Sequence, residues 1–181
     1  MFSHIHPNEA ELPMKIVDAM ASMMAMDERT WRRHANPLSV WTRLPIMFVL
    51  VAILFYRDLL GGWMWPLLAA TIVWTYFNPR AFPEPASTDN WASKGVMGER
   101  VWLNRKAVAI PPHHAAWAQG LVIASGVGMI PLIWGLVVQD FWLTAFGTLL
   151  VFVTKLWFVD RMAWLFEDMS RTTDEYADWL R

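Results

Sequence analysis

The chain has 181 residues, of which 56% are hydrophobic, a larger share than soluble domains use. Its formal net charge of −1 excludes the dominant positive field that nucleic-acid binding requires, and the absence of cysteine excludes disulfides, thiolate metal sites and cysteine nucleophiles. Thirteen tryptophans indicate a membrane, because amphipathic rings collect at membrane–water interfaces. We therefore expect an integral membrane protein with lipids, and no nucleic acid, among its partners.

Residues 1–25 are predicted to form an amphipathic N-terminal extension. Leu12, Ile16, Met20 and Met23 recur at spacings of three and four, the period of a helix with one apolar face. The abundant methionine of residues 14–26 fits a loosely constrained extension equally well. Both interpretations stay open.

The first pair of membrane helices is predicted at about 38–57 and 60–77, on either side of a polar turn that contains Asp58 and a glycine pair. The uncharged runs are each shorter than the roughly 20 residues that a span needs. Flanking residues extend them, with Arg43 reaching to the interface along its apolar stem. A re-entrant hairpin that dips into the bilayer and returns is the alternative.

A polar connector is predicted over residues 78–114, because three prolines near its start and a proline pair near its end stop the flanking helices. Within it, residues 87–90 offer helix N-caps, and Trp91, Gly98 and Trp102 follow at helical spacing. A short helix lying on the membrane surface is expected here.

The second pair is predicted at 115–138 and 141–159, joined by a tight Gln139-Asp140 turn. On the first of these helices, small residues recur every four positions, a pattern that lets another helix approach closely in lipid. This predicted helix-packing seam consists of Ala116, Gly120, Ala124 and Gly128.

Charged residues surround the end of the fourth span. Lys155 is predicted to snorkel to the interface or to meet a carboxylate such as Asp160 or one from another helix. Residues 169–181 form the predicted C-terminal tail, whose apolar stripe favours an interfacial helix. The fold class is therefore all-α: four transmembrane helices in two hairpins, a membrane domain over 26–168, and interfacial amphipathic helices.

The distribution of basic residues predicts the orientation. Five Lys and Arg precede the first span, five lie in the connector and one lies in the hairpin turns. The positive-inside rule then places both termini and the connector in the cytoplasm.

Three stretches carry a resemblance to a known family: HANPLSVWTR at 34–43, STDNWASKGVMGERVWLNRK at 87–106 and KLWFVDRMAWLFED at 155–168. Over residues 26–168 or so, the chain resembles an uncharacterised family of small prokaryotic multi-pass membrane proteins. The resemblance implies a compact multi-helix domain in the prokaryotic cytoplasmic (inner) membrane. It supplies no activity and no catalytic or binding residue, and residues 1–25 and 170–181 lie outside it.

The connector holds candidate ligands for a lipid head group, in which basic side chains that bind phosphate alternate with aromatic residues. These candidates are Lys94, Arg100, Arg105, Lys106, His113 and His114. The simpler interpretation is that the basic residues only set topology and anchor the connector.

Metal binding is not predicted. Together with His34, Asp89 and Glu99, His113 and His114 would supply nitrogen and oxygen ligands, but the repeated HxxxH spacing of a histidine box is missing. We interpret the pair as an exposed polar dipeptide beside two prolines, and expect neither a metal nor another cofactor.

Two functional hypotheses follow. The first is a non-catalytic packing or accessory subunit that self-associates or joins a larger membrane complex. The second is an enzyme or binder that acts on a lipid head group at the cytoplasmic surface. The sequence identifies no catalytic residue, so it leaves open whether the protein is an enzyme.

Overall fold

The computed structural model describes residues 27–181, and the extension predicted for residues 1–25 lies outside this range. No strand occurs between residues 27 and 181, which confirms the all-α class. The helices are α1 Glu28–His34, α2 Pro37–Arg43, α3 Ile46–Phe55, α4 Arg57–Leu60, α5 Met64–Ala81, α6 Trp91–Leu103, α7 Pro112–Val138, α8 Phe141–Thr172 and α9 Asp174–Ala177, with a 3-10 turn at Gly61–Trp63.

Within residues 27–181, four helical stretches are long and apolar enough to cross a membrane: Pro37–Phe55, Arg57–Ala81, Pro112–Val138 and Phe141–Thr172. This confirms the four predicted membrane helices. The first stretch consists of α2 and α3, which are separated at Leu44 and Pro45 because proline has no N–H to continue the helical hydrogen bonds. The second stretch has 25 residues, a length that favours crossing over a re-entrant hairpin.

The last of these helices continues well past the predicted boundary at 159 and ends at Thr172. Met162, Leu165, Phe166 and Met169 recur at helical spacing in this extension and are buried. The apolar stripe continues the helix beyond the predicted span because α6 packs against it. The fourth helix therefore combines a membrane segment with a C-terminal part whose apolar stripe packs against α6, as in a soluble helical domain.

The α7–α8 hairpin is closed by a two-residue turn, as predicted. Gln139 adopts a left-handed conformation with φ 58°, and the carboxylate of Asp140 caps α8 by accepting from the N–H of Leu143 at 2.7 Å. The helices touch through glycines: a Cβ on Gly135 would lie 2.5 Å from the Thr144 nitrogen, and one on Gly147 would collide with the Leu132 backbone.

A polar cap, defined as residues 27–36, 78–114 and 160–181, adjoins one end of the four helices. The main buried cluster of the described residues lies at this end and joins α6, the final turns of α8, and α9. The predicted connector helix is present as α6, but it does not simply lie on a surface, because eight of its residues are buried. They are Ala92, Ser93, Gly95, Val96, Met97, Gly98, Val101 and Trp102.

Candidate functional site

A buried chain of hydrogen bonds lies where α1, α2 and α5 meet, and we call it the histidine network: His34, Ser39, Thr42, Arg43 and Asn78. Arg43 Nη1 lies 2.6 Å from His34 Nε2, and His34 Nδ1 lies 3.4 Å from Ser39 Oγ. Ser39 Oγ donates to Asn78 Oδ1 at 2.8 Å, and Asn78 Nδ2 donates to Thr42 Oγ1 at 2.8 Å. His34, Ser39 and Asn78 are almost completely shielded from solvent.

The chemistry of the side chains determines which atom donates in each hydrogen bond of this network. A guanidinium can only donate, so Nε2 of His34 accepts from Arg43 and the ring proton belongs on Nδ1, facing Ser39. The chain then continues through Asn78 and Thr42, whose hydroxyl donates to the Leu38 carbonyl at 2.6 Å. Each buried polar group has a partner, as a low-dielectric interior requires.

His34 is neutral in this network. Burial lowers its pKa well below the usual 6.5, and the charges of Arg43, Lys155 and Arg80 lower it further. The imidazole therefore serves as an acceptor for Arg43 rather than as a second cation.

The turn HANP, residues 34–37, positions the network. Asn36 caps α2 by accepting from the N–H of Leu38 at 2.9 Å, and its amide donates to the Pro83 carbonyl at 3.0 Å. Ser93 Oγ donates to the Ala35 carbonyl at 2.6 Å. The turn thereby ties α2 to both the start of the connector and α6, which holds His34 against α5.

Lys155 makes the ion pair with another helix that the sequence left as one alternative. Its Nζ lies 3.1 Å from Glu99 Oε1 on α6. Burial alone would raise the pKa of Glu99, but the charges of Lys155 and Arg43 and the hydrogen bond from Lys155 outweigh it and keep this pKa below 4.5. Glu99 is thus an ionised link between α6, α8 and the edge of the histidine network.

The basic candidates for head-group binding on α6 are already paired within the chain. Lys94 Nζ lies 2.7 Å from Asp89 Oδ1 and 2.8 Å from Glu167 Oε1, and the hydrogen bonds that it donates to these carboxylates raise its pKa. Arg100 binds both carboxylate oxygens of Glu28 and stacks 3.9 Å from the ring centroid of Trp179. These pairs tie the cap together.

The other predicted ligands lie after α6 and at the start of α7. Arg105 lies over the Trp102 ring at 4.2 Å, and Lys106, in the same turn, also makes a polar or electrostatic contact. His114 is 2% exposed, and its Nε2 lies 2.8 Å from Asp168 Oδ2. His113 stacks on it with ring centroids 4.1 Å apart, so the structure brings the histidine pair to α8 and not to α6.

The predicted small-residue seam is divided between two environments. A Cβ on Gly128 would touch Val151 Cγ2 at 3.0 Å, whereas a Cβ on Gly120 would meet no atom within 4 Å. Ala116 and Gly120 are exposed, Ala124 is half-buried and Gly128 is buried. Gly128 therefore packs against α8 inside the hairpin, whereas Ala116 and Gly120 lie on an uncovered surface.

A family described as a family of unknown function, DUF6653, matches residues 15–180. The chain belongs to DUF6653. The match is wider than the resemblance over 26–168, so the expectation that residues 15–25 and 170–180 lie outside the family is wrong. No significant match was found among curated proteins or solved structures.

A cleft of about 300 Å³ lies in the polar cap of this DUF6653 chain. Its charged lining comprises three arginines and four carboxylates: Arg32, Arg100, Arg181, Glu28, Glu84, Glu175 and Asp178. The C-terminal tail forms one wall, since Thr88 Oγ1 donates to the Trp179 carbonyl at 2.8 Å. Because acidic groups outnumber basic ones, the cleft does not have the field of a phosphate site.

Sequence reasoning missed several partners in this DUF6653 fold. Asn78 and Ser39 were not recognised as buried, although Asn78 interrupts the end of an apolar run in a way that predicts a satisfied polar group. Helical spacing alone would pair Asp168 with Arg171, one turn away. Its contact with His114 spans 54 positions, and no local spacing points to it.

Proposed function

We propose that this DUF6653 protein is a non-catalytic packing or accessory subunit of a prokaryotic cytoplasmic (inner) membrane. In this proposal it self-associates or joins a larger membrane complex, with both termini and the connector in the cytoplasm. The observation that carries the proposal is the open surface at Ala116 and Gly120 on a helix whose Gly128 and Gly135 pack against α8. Small residues in lipid allow backbones to approach closely, which is the main source of helix association there.

The residues around this surface are suited to binding a second helix. Trp117, Ile123, Val127 and Ile130 are exposed on α7 beside it and supply side chains that can pack around a second helix. Gly126 also leaves open space. A helix seated there would contact backbone at Gly120 and the larger side chains beside it.

Action on a lipid head group is the second candidate. The observation that favours it is the polar, partly enclosed cleft beside Arg100. The pairing of Lys94 and Arg100 with internal carboxylates weighs against it, because a phosphate would have to displace these partners. We therefore favour the packing role over action on a lipid head group.

The association is tested with Gly120→Leu. In proteoliposomes, we expect energy transfer between differently labelled copies of the wild-type protein, and a fall of about tenfold in association for the variant, because the larger side chain separates the helices. Ala70→Leu is the matched control, since Ala70 is exposed on a different membrane helix. Native mass spectrometry of the gently extracted protein extends the test to other partner chains.

Equal association in the wild type, Gly120→Leu and Ala70→Leu would contradict self-association at this surface. If a partner chain is then lost only with Gly120→Leu, the larger-complex form of the proposal stands. A monomer that retains one phospholipid class, and loses it with Arg100→Ala, would replace the packing role by the head-group role.

The orientation is tested by single-cysteine labelling, which is clean because the chain contains no cysteine. Asp58→Cys, at the first hairpin turn, is expected to react with a membrane-impermeant maleimide in intact cells. Ala109→Cys, in the connector, is expected to react only after the membrane is permeabilised. Both positions are exposed, so the reverse pattern would contradict the positive-inside assignment.

A further inference from the structure

His113, His114 and Asp168 form a cluster between the start of α7 and the last turns of α8. Each residue offers one ligand atom, and these atoms lie within 4.8 Å of one another. The closest pair, His114 Nε2 and Asp168 Oδ2, is 2.8 Å apart. The cluster thus joins two residues adjacent in sequence to a carboxylate from a distant helix.

The packing register of α7 and α8 explains this convergence. His114, Ala118 and Leu121 follow one another at spacings of four and three and are all buried. On α8, Arg161 lies seven residues before Asp168, and its guanidinium stacks over Trp117 at 4.8 Å. Residues seven apart lie two turns apart on one helix face, so the face of α8 that carries Arg161 to Trp117 also carries Asp168 towards the start of α7.

We propose that His113, His114 and Asp168 bind a divalent transition-metal ion of the Zn²⁺ class. Imidazole nitrogen and carboxylate oxygen are ligands that Zn²⁺ accepts at about 2.0–2.2 Å, and a set of three protein ligands leaves further positions for water. In a tetrahedral site with these bond lengths two ligand atoms lie about 3.3 Å apart, so the observed 2.8 Å between His114 Nε2 and Asp168 Oδ2 would have to widen by about 0.5 Å. His113 and Asp168 are exposed, so their side chains are free to rotate onto the ion.

The metal would have a structural consequence that is independent of the proposed packing role. It would bridge the first turn of α7 to the last turns of α8 and so hold the two helices of the second hairpin together where they enter the polar cap. A ligand that binds only the folded state stabilises that state by mass action. The metal is therefore expected to raise the melting temperature.

The test uses full-length protein without an affinity tag, in a His4→Gln/His6→Gln background that removes the two other histidines outside the described fold. Zn²⁺ binding is followed by calorimetry and by metal analysis after gel filtration, and Co²⁺ absorption reports nitrogen and oxygen coordination. We expect one equivalent of metal and an increase in melting temperature. Asp168→Asn and His113→Gln are each expected to weaken binding by about tenfold or more.

Asp168→Asn keeps a side chain that can accept a hydrogen bond from His114, so its fold is expected to survive. Asp58→Asn, an exposed carboxylate at the other end of the molecule, is the matched control and should bind like the background protein. Equal Zn²⁺ binding by the background protein and a His113→Gln/Asp168→Asn double variant would overturn the proposal. Loss of all binding in the His4→Gln/His6→Gln background would overturn it as well. Neither result bears on association through Gly120.

Discussion

Replacing Gly98 by alanine is expected to destabilise the protein by about 3 kcal/mol, near the upper end of the cost of overpacking a core. A Cβ at this position would collide with the backbone carbonyl of Met162 on α8. Backbone atoms cannot rotate away as a flexible side chain can, so α6 and α8 would have to separate. That separation would open the cluster around Val101, Phe166 and Met169.

The measurement is thermal unfolding in detergent, followed by tryptophan fluorescence, together with the yield of folded protein. Gly120→Ala is the matched control, because a Cβ there meets no atom within 4 Å and alanine is the better helix former by about 1 kcal/mol. We expect Gly120→Ala to melt at or above the wild-type temperature and Gly98→Ala far below it. Similar melting of the two variants would show that α6 does not approach α8 as closely as the structure has it.

The membrane helices were predictable because lipid imposes a length and a composition on them. The runs at 115–138 and 141–159 are predominantly apolar, and helices α7 and α8 extend through both. The boundary at 159 was wrong for a physical reason: it assumed that a helix ends where the bilayer ends. Past this point α8 is held by packing, since Phe166 and Leu165 are fully buried against the cap.

The contacts of the polar cap were less predictable, because they depend on which elements meet. The capping residues before Trp91 predicted the start of α6 correctly, with Asn90 accepting from the N–H of Ser93 at 3.0 Å. The burial of α6 depends on Gly95 and Gly98, which allow α8 to approach closely. A single sequence does not distinguish such glycines from ordinary flexible positions. The sequence identifies the charged candidates Lys94 and Arg100 as a group, but it does not identify their partners Glu167 and Glu28, which lie more than 70 positions away.

Acidification is expected to destabilise the protein through His34 before its carboxylates titrate. The folded-state pKa of His34 is lowered well below 6.5 by burial and by Arg43, Lys155 and Arg80, whereas the denatured chain has an ordinary histidine. Below about pH 6.5 the denatured state binds a proton that the folded state does not. Stability therefore falls with decreasing pH, by about 1.4 kcal/mol per unit at the limit and by about that amount in total between pH 7.5 and 5.5.

The test compares the free energy of unfolding of the wild type, His34→Gln and His113→Gln between pH 7.5 and 5.5, with a chelator present to remove metal effects. Glutamine retains an acceptor for Arg43 but does not titrate, so this variant should be less stable at pH 7.5 yet show a flatter pH dependence. His113→Gln is the matched control, because it removes a histidine that lies outside the histidine network. The pKa values of Glu28 and Glu99 are lowered from 4.5, which keeps these carboxylates outside the window. An unchanged slope in His34→Gln would mean that protons are taken up elsewhere and that the histidine network tolerates a charged imidazole beside Arg43.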